Sequence, residues 1–195
     1  NQDLWSEEGA TFATDATGGP DRVDKQLRQA AAGLVAVSTK DWDKIILEDE
    51  HDYREDEEVE FASIACRVPL GQTVPRGETW AIMLLLGLRQ GRSTVCWVGA
   101  QYVINGVRAR TTNARDNYET GCNGDLWCRI YEYLDVAEEK DPNYKLDLKK
   151  IKSHLKARKA IASNIPKQAW VSNDMADRVA EEYAETNQVE WVYQR

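Results

Sequence analysis

Hydrophobic residues along the chain fall into short strand-like runs and longer helix-like runs. Short apolar or alternating runs bounded by glycine, proline or charged clusters are typical of β-strands. The first two runs are joined by a turn-rich connection, which favours an antiparallel hairpin. This pattern predicts strands over residues 11–17, 31–39, 61–68, 94–98 and 144–151.

Helical periodicity begins after the third predicted strand. Pro75 indicates a helix start, and residues 80–88 are apolar nearly all round, so we expect this helix to be largely buried. Asn123 is a suitable N-cap for a later helix, and residues 108–121 are polar enough to be a loop. The remaining predicted helices cover residues 101–107, 124–137 and 172–185.

The order of these elements predicts an α/β fold. Residues 94–98 form a continuous apolar run, which is typical of a central strand covered on both faces. A strand, a helix and a second strand in this order form a right-handed crossover between parallel strands. We therefore expect a single domain over residues 1–195, with a five-stranded mixed sheet and helices on both faces. Residues 40–60 are predicted to form an acidic insertion loop.

Composition narrows the class of protein. The chain is 42% hydrophobic and 30% charged, and 195 residues are enough to bury a full core. It has no run of 18 or more apolar residues, so we expect no membrane span. The four cysteines are too sparse for a disulfide scaffold and lack zinc-site spacing, which predicts a reduced, intracellular protein of unspecified compartment.

Charge is unevenly distributed around a net value of −8. Residues 48–60 carry nine acids and one arginine, which predicts either a solvated loop or a surface that docks a basic protein partner. Residues 149–159 carry six cations and no acid, so this segment either guides a polyanion or is simply solvated. The lysines of this segment that are candidates for nucleic-acid binding are Lys149, Lys150, Lys152 and Lys156.

Three acids occupy positions where their carboxylates can converge. Asp15 lies near the end of the first strand, Glu78 in the first turn of the buried helix and Asp177 in the last helix. Clustered carboxylates repel one another unless cations neutralise them, and Mg²⁺ prefers such oxygen ligands. Two such ions about 4 Å apart can activate water and stabilise the leaving oxygen in phosphodiester hydrolysis. Taken alone, three acids among 33 favour surface charge instead.

Six local motifs change that interpretation, because together they resemble ribonuclease H, especially the forms found in retrotransposon polyproteins. The resemblance extends along nearly the whole chain. The motifs, in chain order, are A-T-D-A-T-G-G-P around Asp15, Q-T-V-P-R-G-E-T-W-A-I around Glu78, G-A-Q-Y-V-I-N-G-V after the fourth strand, N-G-D-L-W before the middle helix, I-K-S-H-L at the end of the fifth strand and N-D-M-A-D-R-V-A in the last helix.

The resemblance implies a nuclease that cuts the RNA strand of an RNA–DNA hybrid with four carboxylates and a pair of Mg²⁺ ions. Asp15, Glu78 and Asp177 match three of the four acids. His154 matches a histidine that aids product release or proton transfer in the family, although it is also compatible with an ordinary loop histidine. Two further matches lie near the family's substrate groove, where helix packing or capping explains them equally well; they are Gln101 and Asn105.

Gly99 departs from the family pattern, in which this position carries the fourth metal-binding aspartate. Glycine supplies no ligand, so Mg²⁺ loses an anionic contact and the rate is expected to fall about three to four orders of magnitude. Asp174, on the same helix face as Asp177, is a possible substitute ligand. Two interpretations follow: a ribonuclease H with weak or blocked activity, or a pseudo-nuclease whose fold serves nucleic-acid binding or protein assembly.

Overall fold

The computed structural model describes residues 4–19, 29–47 and 59–187. Within these ranges the strands are β1 (Thr11–Thr17), β2 (Ala31–Thr39), β3 (Val59–Arg67), β4 (Thr94–Val98) and β5 (Leu146–Lys150). They form one mixed sheet in the order β3-β2-β1-β4-β5. The central strand β1 pairs antiparallel with β2 and parallel with β4, while β2–β3 is antiparallel and β4–β5 parallel.

Helices cover both faces of this sheet, as predicted. They are α1 (Val74–Arg89), α2 (Gln101–Ala109), α3 (Arg115–Glu119), α4 (Gly124–Lys140), α5 (Ala157–Ala162) and α6 (Lys167–Thr186). The helices α1 and α4 build a core with Phe12 and Leu34, and α5 and α6 build a second core with Ala13 and Val35. None of the helices in the described ranges is long and apolar enough to cross a membrane.

Three helix predictions need correction. Residues 108–121 are not all loop, because α3 forms there and Arg115 bonds both Glu119 (2.8 Å) and Asp135 of α4 (3.1 Å). Asn123 precedes α4 but does not cap it with its side chain; its φ is 64°, and its amide oxygen accepts from Arg76 Nη1 instead. The last helix begins at Lys167, because Pro166 occupies its N-cap position.

The predicted insertion over residues 40–60 has structured ends. Trp42–Lys44 is a 3₁₀ turn, in which the Asp41 side chain accepts from the backbone N–H of Asp43 at 3.0 Å. Val59 already belongs to β3, where it pairs with Thr39. The acid-rich part, residues 48–58, lies outside the described residues.

The strand β4 is central but not covered evenly. It lies between β1 and β5, and Cys96 and Val98 are fully buried on the α1 face. On the other face Val95 is 43% exposed and Trp97 is only partly buried. The prediction of a strand covered on both faces is therefore correct for one face only.

Two glycines let α1 and α6 approach the middle of the sheet from opposite faces. A Cβ on Gly77 would lie 2.7 Å from Ala16 Cβ and 3.1 Å from Val68 Cγ2, so α1 could not approach β1 as closely with any other residue there. A Cβ on Gly33 would overlap the Ala176 carbonyl oxygen and approach Ala180 Cβ to 3.0 Å. Glycine inside a strand commonly marks such a close backbone approach.

We predict that Gly33→Ala lowers the free energy of unfolding by roughly 1–3 kcal/mol, because the added methyl group must push α6 off the sheet. Gly87→Ala is the matched control, since a Cβ there meets nothing within 4 Å in the exposed part of α1. The control should raise stability by roughly 0.5–1 kcal/mol through helix propensity. Urea unfolding followed by circular dichroism measures both; equal changes in the two variants would contradict the close-packing argument.

Candidate active site

The parallel pairing of β1, β4 and β5 brings three strand ends to one edge of the sheet. Asp15 lies near the end of β1, Gly99 follows β4 directly, and Lys150 ends β5. The register pairs Val98 with Thr14 on one side and with Lys150 on the other. Ligand sites of α/β sheets commonly lie beyond such carboxyl ends.

The carboxyl groups of Asp15 and Glu78 are buried at this edge. Asp15 is 4% exposed and Glu78 is 6% exposed. Asp15 Oδ1 accepts a hydrogen bond from the Ala16 N–H at 2.8 Å. Asp15 Oδ2 and Glu78 Oε2 are buried without a hydrogen-bond partner among the described residues. Buried polar atoms are rarely left in this state, so the two oxygens form a natural cation-binding pair.

Burial and mutual repulsion make both acids hard to ionise. Burial raises the pKa of Asp15 to about 6, and the negative charge of Asp177 adds to the shift. The pKa of Glu78 rises well above its usual value, first through burial and then through the charge of Asp15. The positive charge of Lys150 opposes this rise. A cation bound between them would favour the ionised forms of both carboxyl groups.

Asp177 reaches the same cluster from α6 and is held there by His154. The His154 Nδ1 and Asp177 Oδ2 atoms are 2.9 Å apart, and the side chains are 68% and 19% exposed. Burial raises the pKa of Asp177, and the interaction with His154 opposes the rise. His154 has a φ of 55°, in the left-handed region that few non-glycine residues adopt. Asp177 thus lies close enough to Asp15 and Glu78 for the charges to interact, and His154 pairs with it there.

Gly99 faces the acid cluster, and Ser153 fills the space beside it. A Cβ at position 99 would lie 3.8 Å from Glu78 Oε1, close enough for a longer side chain to join the cluster. The same Cβ would overlap the Ser153 hydroxyl. Asp174, the possible substitute ligand, instead pairs with Arg178 Nε at 2.9 Å.

The four candidate lysines do not form one surface. Side chains alternate along β5, so Lys149 and Lys150 face opposite sides of the sheet. Lys149 lies 5.5 Å from the centre of the Trp97 ring, on the α6 side. Lys150 Nζ donates to the carbonyl oxygens of Gly99 and Ile151, the latter at 2.9 Å. Lys152 and Lys156 are exposed in the loop that leads to α5.

Gln101 and Asn105 lie on the exposed side of α2, immediately after Gly99. Gln101 Nε2 donates to Asn105 Oδ1 at 3.0 Å, one helical turn away. Each amide therefore keeps hydrogen-bonding capacity for a ligand beside the acid cluster.

The residues present fit one divalent cation better than two. Asp15 and Glu78 offer unpartnered oxygens, and hard carboxylate oxygens suit Mg²⁺. No group of three His, Cys, Asp or Glu side chains within the described ranges is close enough to hold a metal ion. The predicted site with a pair of ions is thus incomplete, because position 99 supplies no carboxylate and Asp177 is engaged by His154.

Sequence patterns did not reveal how Glu78 is positioned. Arg76, only 6% exposed, donates to both carboxylate oxygens of Asp125 (2.8 and 2.5 Å) and to the Pro69 carbonyl oxygen (2.7 Å). This ion pair joins the first turn of α1 to the first turn of α4 and lowers the pKa of Asp125. An arginine in a buried first turn, two residues before an acid, is the signal that could have indicated this role.

Comparisons with known proteins place this arrangement in a known fold. No family model matches the sequence, and no curated protein matches it. Solved structures do match. The solution structure of the prototype foamy virus RNase H domain has a TM-score of 0.58 at 13% identity, over 91% of this chain and 94% of that one. LC9-RNase H1, a type 1 RNase H with the type 2 active-site motif, has a TM-score of 0.56 at 12% identity, over 92% and 73%.

A longer viral protein contains the same fold. The foamy viral protease-reverse transcriptase in complex with RNA/DNA hybrid has a TM-score of 0.55 at 14% identity, over 94% of this chain and 21% of that chain. This chain therefore spans about a fifth of the length of the viral protein. With the sheet order and the helices on both faces, these likenesses show that the chain has the ribonuclease H-like fold.

We predict that Asp15→Asn flattens the pH dependence of stability. The raised pKa means that folded Asp15 holds its proton where the unfolded chain has lost it, so stability falls as pH rises from about 4 to about 6. Removing this acid should raise the free energy of unfolding near pH 7 by roughly 1–3 kcal/mol without metal.

Urea unfolding in a chelator from about pH 4 to about pH 8 measures this change. The control is Asp147→Asn, which removes an exposed carboxylate of β5. In this control, the free energy of unfolding should change with pH as it does in the unmodified chain. An unaltered slope in Asp15→Asn would mean that the burial of Asp15 does not strain the fold.

Proposed function

We propose that this domain binds RNA–DNA hybrids beside its acid cluster and is an impaired ribonuclease H. The observation that carries the proposal is the convergence of Asp15, Glu78 and Asp177 at the carboxyl end of the sheet, with Gly99 facing them. The fold supports it, since a longer viral protein that contains the same fold has been solved in complex with an RNA/DNA hybrid. The sequence motifs around these acids support it independently.

The roles of the residues follow from their surroundings. Asp15 Oδ2 and Glu78 Oε2 would hold a divalent ion such as Mg²⁺. When bound, that ion supplies the Lewis-acid chemistry of phosphodiester hydrolysis. Asp177 keeps His154 next to the cluster, and the exposed imidazole can exchange a proton with solvent or with the departing product. Gln101 and Asn105 would orient the nucleic acid through their free amide capacity.

Impairment follows from the missing carboxylate at position 99. A second cation at this edge would be held by too few anionic oxygens, so the negative charge that develops in the transition state is poorly stabilised. The size of this loss of transition-state stabilisation decides whether the domain cleaves slowly or not at all.

A pseudo-nuclease is the second candidate, and the absence of a carboxylate at position 99 favours it. The space beside Gly99 is occupied by the Ser153 hydroxyl, which would have to rotate away to admit a larger side chain. In this alternative the domain binds nucleic acid or assembles with protein, and residues 48–58 would dock a basic partner by charge. The same fold would then serve as an interaction module inside a longer polyprotein of the retrotransposon type, within the cell.

We predict that Gly99→Asp combined with Ser153→Gly raises Mg²⁺-dependent cleavage of an RNA–DNA hybrid by roughly 10³-fold, which corresponds to about 4 kcal/mol of transition-state stabilisation. The second substitution removes the overlap with the new side chain. Gly99→Asn with Ser153→Gly is the matched control, since asparagine has the size of aspartate without its charge. A time course on a labelled hybrid measures the rate.

Two outcomes separate the candidates. If the aspartate variant cuts and the asparagine variant does not, the nuclease assignment holds, and adding Glu78→Gln should abolish the gain. If the aspartate variant binds hybrid but neither cuts it nor binds Mg²⁺, the pseudo-nuclease assignment replaces it.

Hybrid binding should depend on the exposed lysines beside the cluster. We predict that the triple variant Lys149→Gln, Lys152→Gln and Lys156→Gln binds the hybrid more weakly, because the counterions that lysines release from phosphates drive such binding. The plot of log K against log salt should become less steep by about 1–3. The control is Lys140→Gln with Lys145→Gln, which removes an exposed lysine at the end of α4 and another just before β5. Fluorescence anisotropy across a salt series measures both, and an unchanged slope would exclude these lysines from the interface.

A further inference from the structure

A groove lined mainly by aliphatic side chains lies beside α5 and the start of α6, and none of the acid-cluster residues lines it. We call it the α5–α6 groove. It has a volume of about 570 Å³, with residues 43–47 on one side and residues 161–167 on the other. The aliphatic residues that line it are Ile45, Ile46, Leu47, Ile161 and Ile165.

The two sides of the α5–α6 groove are held in place by contacts within the protein. Lys167, the first residue of α6, donates from Nζ to the carbonyl oxygen of Asp43 at 2.7 Å. Asn164 has a φ of 52°, and the N–H of Ile165 donates to the Ala160 carbonyl oxygen at 3.1 Å, which fixes the turn between the helices. The groove is therefore formed before anything binds, and a ligand does not have to order it.

Two of the aliphatic side chains remain in contact with water. Ile46 is 70% exposed and Ile161 is 59% exposed, and they belong to opposite sides of the groove. Exposed apolar patches with a polar rim mark interaction sites. A small-molecule site would instead enclose its ligand and direct several polar groups at it. The α5–α6 groove thus fits a segment of another protein that lays apolar side chains across it.

The sequence that adjoins the groove favours a basic occupant. Residues 48–58 follow the groove residue Leu47 and rejoin the described chain at Val59, and both of these residues pack in one core cluster with Ile45. Residues 48–58 carry eight acids and one arginine. Both ends of this acidic run are therefore anchored beside the groove, and its charge attracts cations to whatever binds there.

Other charges near the groove do not reverse this preference. Asp43 and Lys167, which line the groove, carry opposite charges. Arg158 and Lys159 are exposed on α5, but the eight acids outnumber them. A second copy of the chain is a poor occupant, because each copy has a net charge of −8.

We propose that the α5–α6 groove docks a basic amphipathic segment of a protein partner. The aliphatic face of that segment covers Ile46 and Ile161, and its lysines or arginines face the acids of residues 48–58. This proposal rests on the protein-assembly role in the second candidate function and gives that role a place on the fold. It does not depend on the acid cluster or on cleavage of a hybrid.

A labelled peptide tests the apolar half of the proposal. The probe is a short helical peptide with leucines on one face and lysines on the other, and fluorescence anisotropy with the full chain measures its binding. Ile46→Ser with Ile161→Ser should weaken binding by about 10-fold or more, because the apolar contact is lost. Both side chains are exposed, so the fold should be retained, which thermal melting checks. Val136→Ser, which changes an exposed aliphatic residue of α4, is the control and should bind as the unmodified chain does.

The charge half is tested by neutralising acids in pairs. Glu55→Gln with Glu57→Gln should weaken peptide binding by about 2- to 5-fold at low salt, and the difference should fade near about 0.5 M salt. Glu132→Gln with Glu139→Gln, which neutralises two exposed acids of α4, is the matched control and should have a smaller effect. A peptide with glutamates in place of its lysines should bind about 10-fold more weakly or not at all.

Three outcomes would overturn the proposal. Equal binding of the lysine peptide by the double serine variant and by the unmodified chain would exclude the groove as the docking site. Equal binding of the two peptides would exclude a basic partner. If sedimentation shows that the unmodified chain dimerises and the double serine variant does not, a second copy occupies the groove instead.

The double serine variant also separates this proposal from nucleic-acid binding. Its affinity for an RNA–DNA hybrid should equal that of the unmodified chain, because the groove shares no residue with the acid cluster. A loss of peptide binding with intact hybrid binding supports the docking site. A loss of both would mean that the substitutions act on the whole domain, and the groove would then not be a separate site.

Discussion

The burial of Asp15 against Glu78 is the constraint on which the rest of the site depends. Two carboxyl groups that are nearly inaccessible to water repel each other and resist ionisation, so the folded state is destabilised wherever they ionise. Packing elsewhere must offset this cost. Gly77 allows α1, which carries Glu78, to pack closely on β1, which carries Asp15. The close packing of these two elements therefore helps to keep the two carboxyl groups together.

The compensating charges are divided among several elements. His154, in the loop after β5, serves Asp177, and Lys150, at the end of β5, serves Glu78. Arg76 does not touch the cluster, but its ion pair with Asp125 fixes the start of α1 and hence the direction of Glu78. The two cations near the cluster therefore come from one short stretch at the end of β5, while the acids come from β1, α1 and α6.

Much of this arrangement could be predicted from the sequence, since it rests on periodicity. Alternating and apolar runs indicated the strands, and proline near the start of α1 indicated that Glu78 lies close to the start of the helix. The structure puts Glu78 in the second turn of α1 rather than in the predicted first turn, because the helix begins at Val74. What could not be predicted depends on contacts between distant segments. The Asn123 side chain bonds Arg76 rather than capping α4, and Gly33 is needed only because α6 crosses β2 at that point. Lys149 and Lys150 point to opposite faces because side chains alternate along a strand. A count of charges over residues 149–159 does not contain this information.

The contact between Ser153 and the space beside Gly99 couples two positions that are distant in the chain. Any side chain added at position 99 would meet the Ser153 hydroxyl, so that hydroxyl must rotate away or be removed to make room. The effect of a substitution at position 99 therefore depends on the residue at position 153. Substitutions at the two positions are expected to be non-additive, as is usual for residues in direct contact.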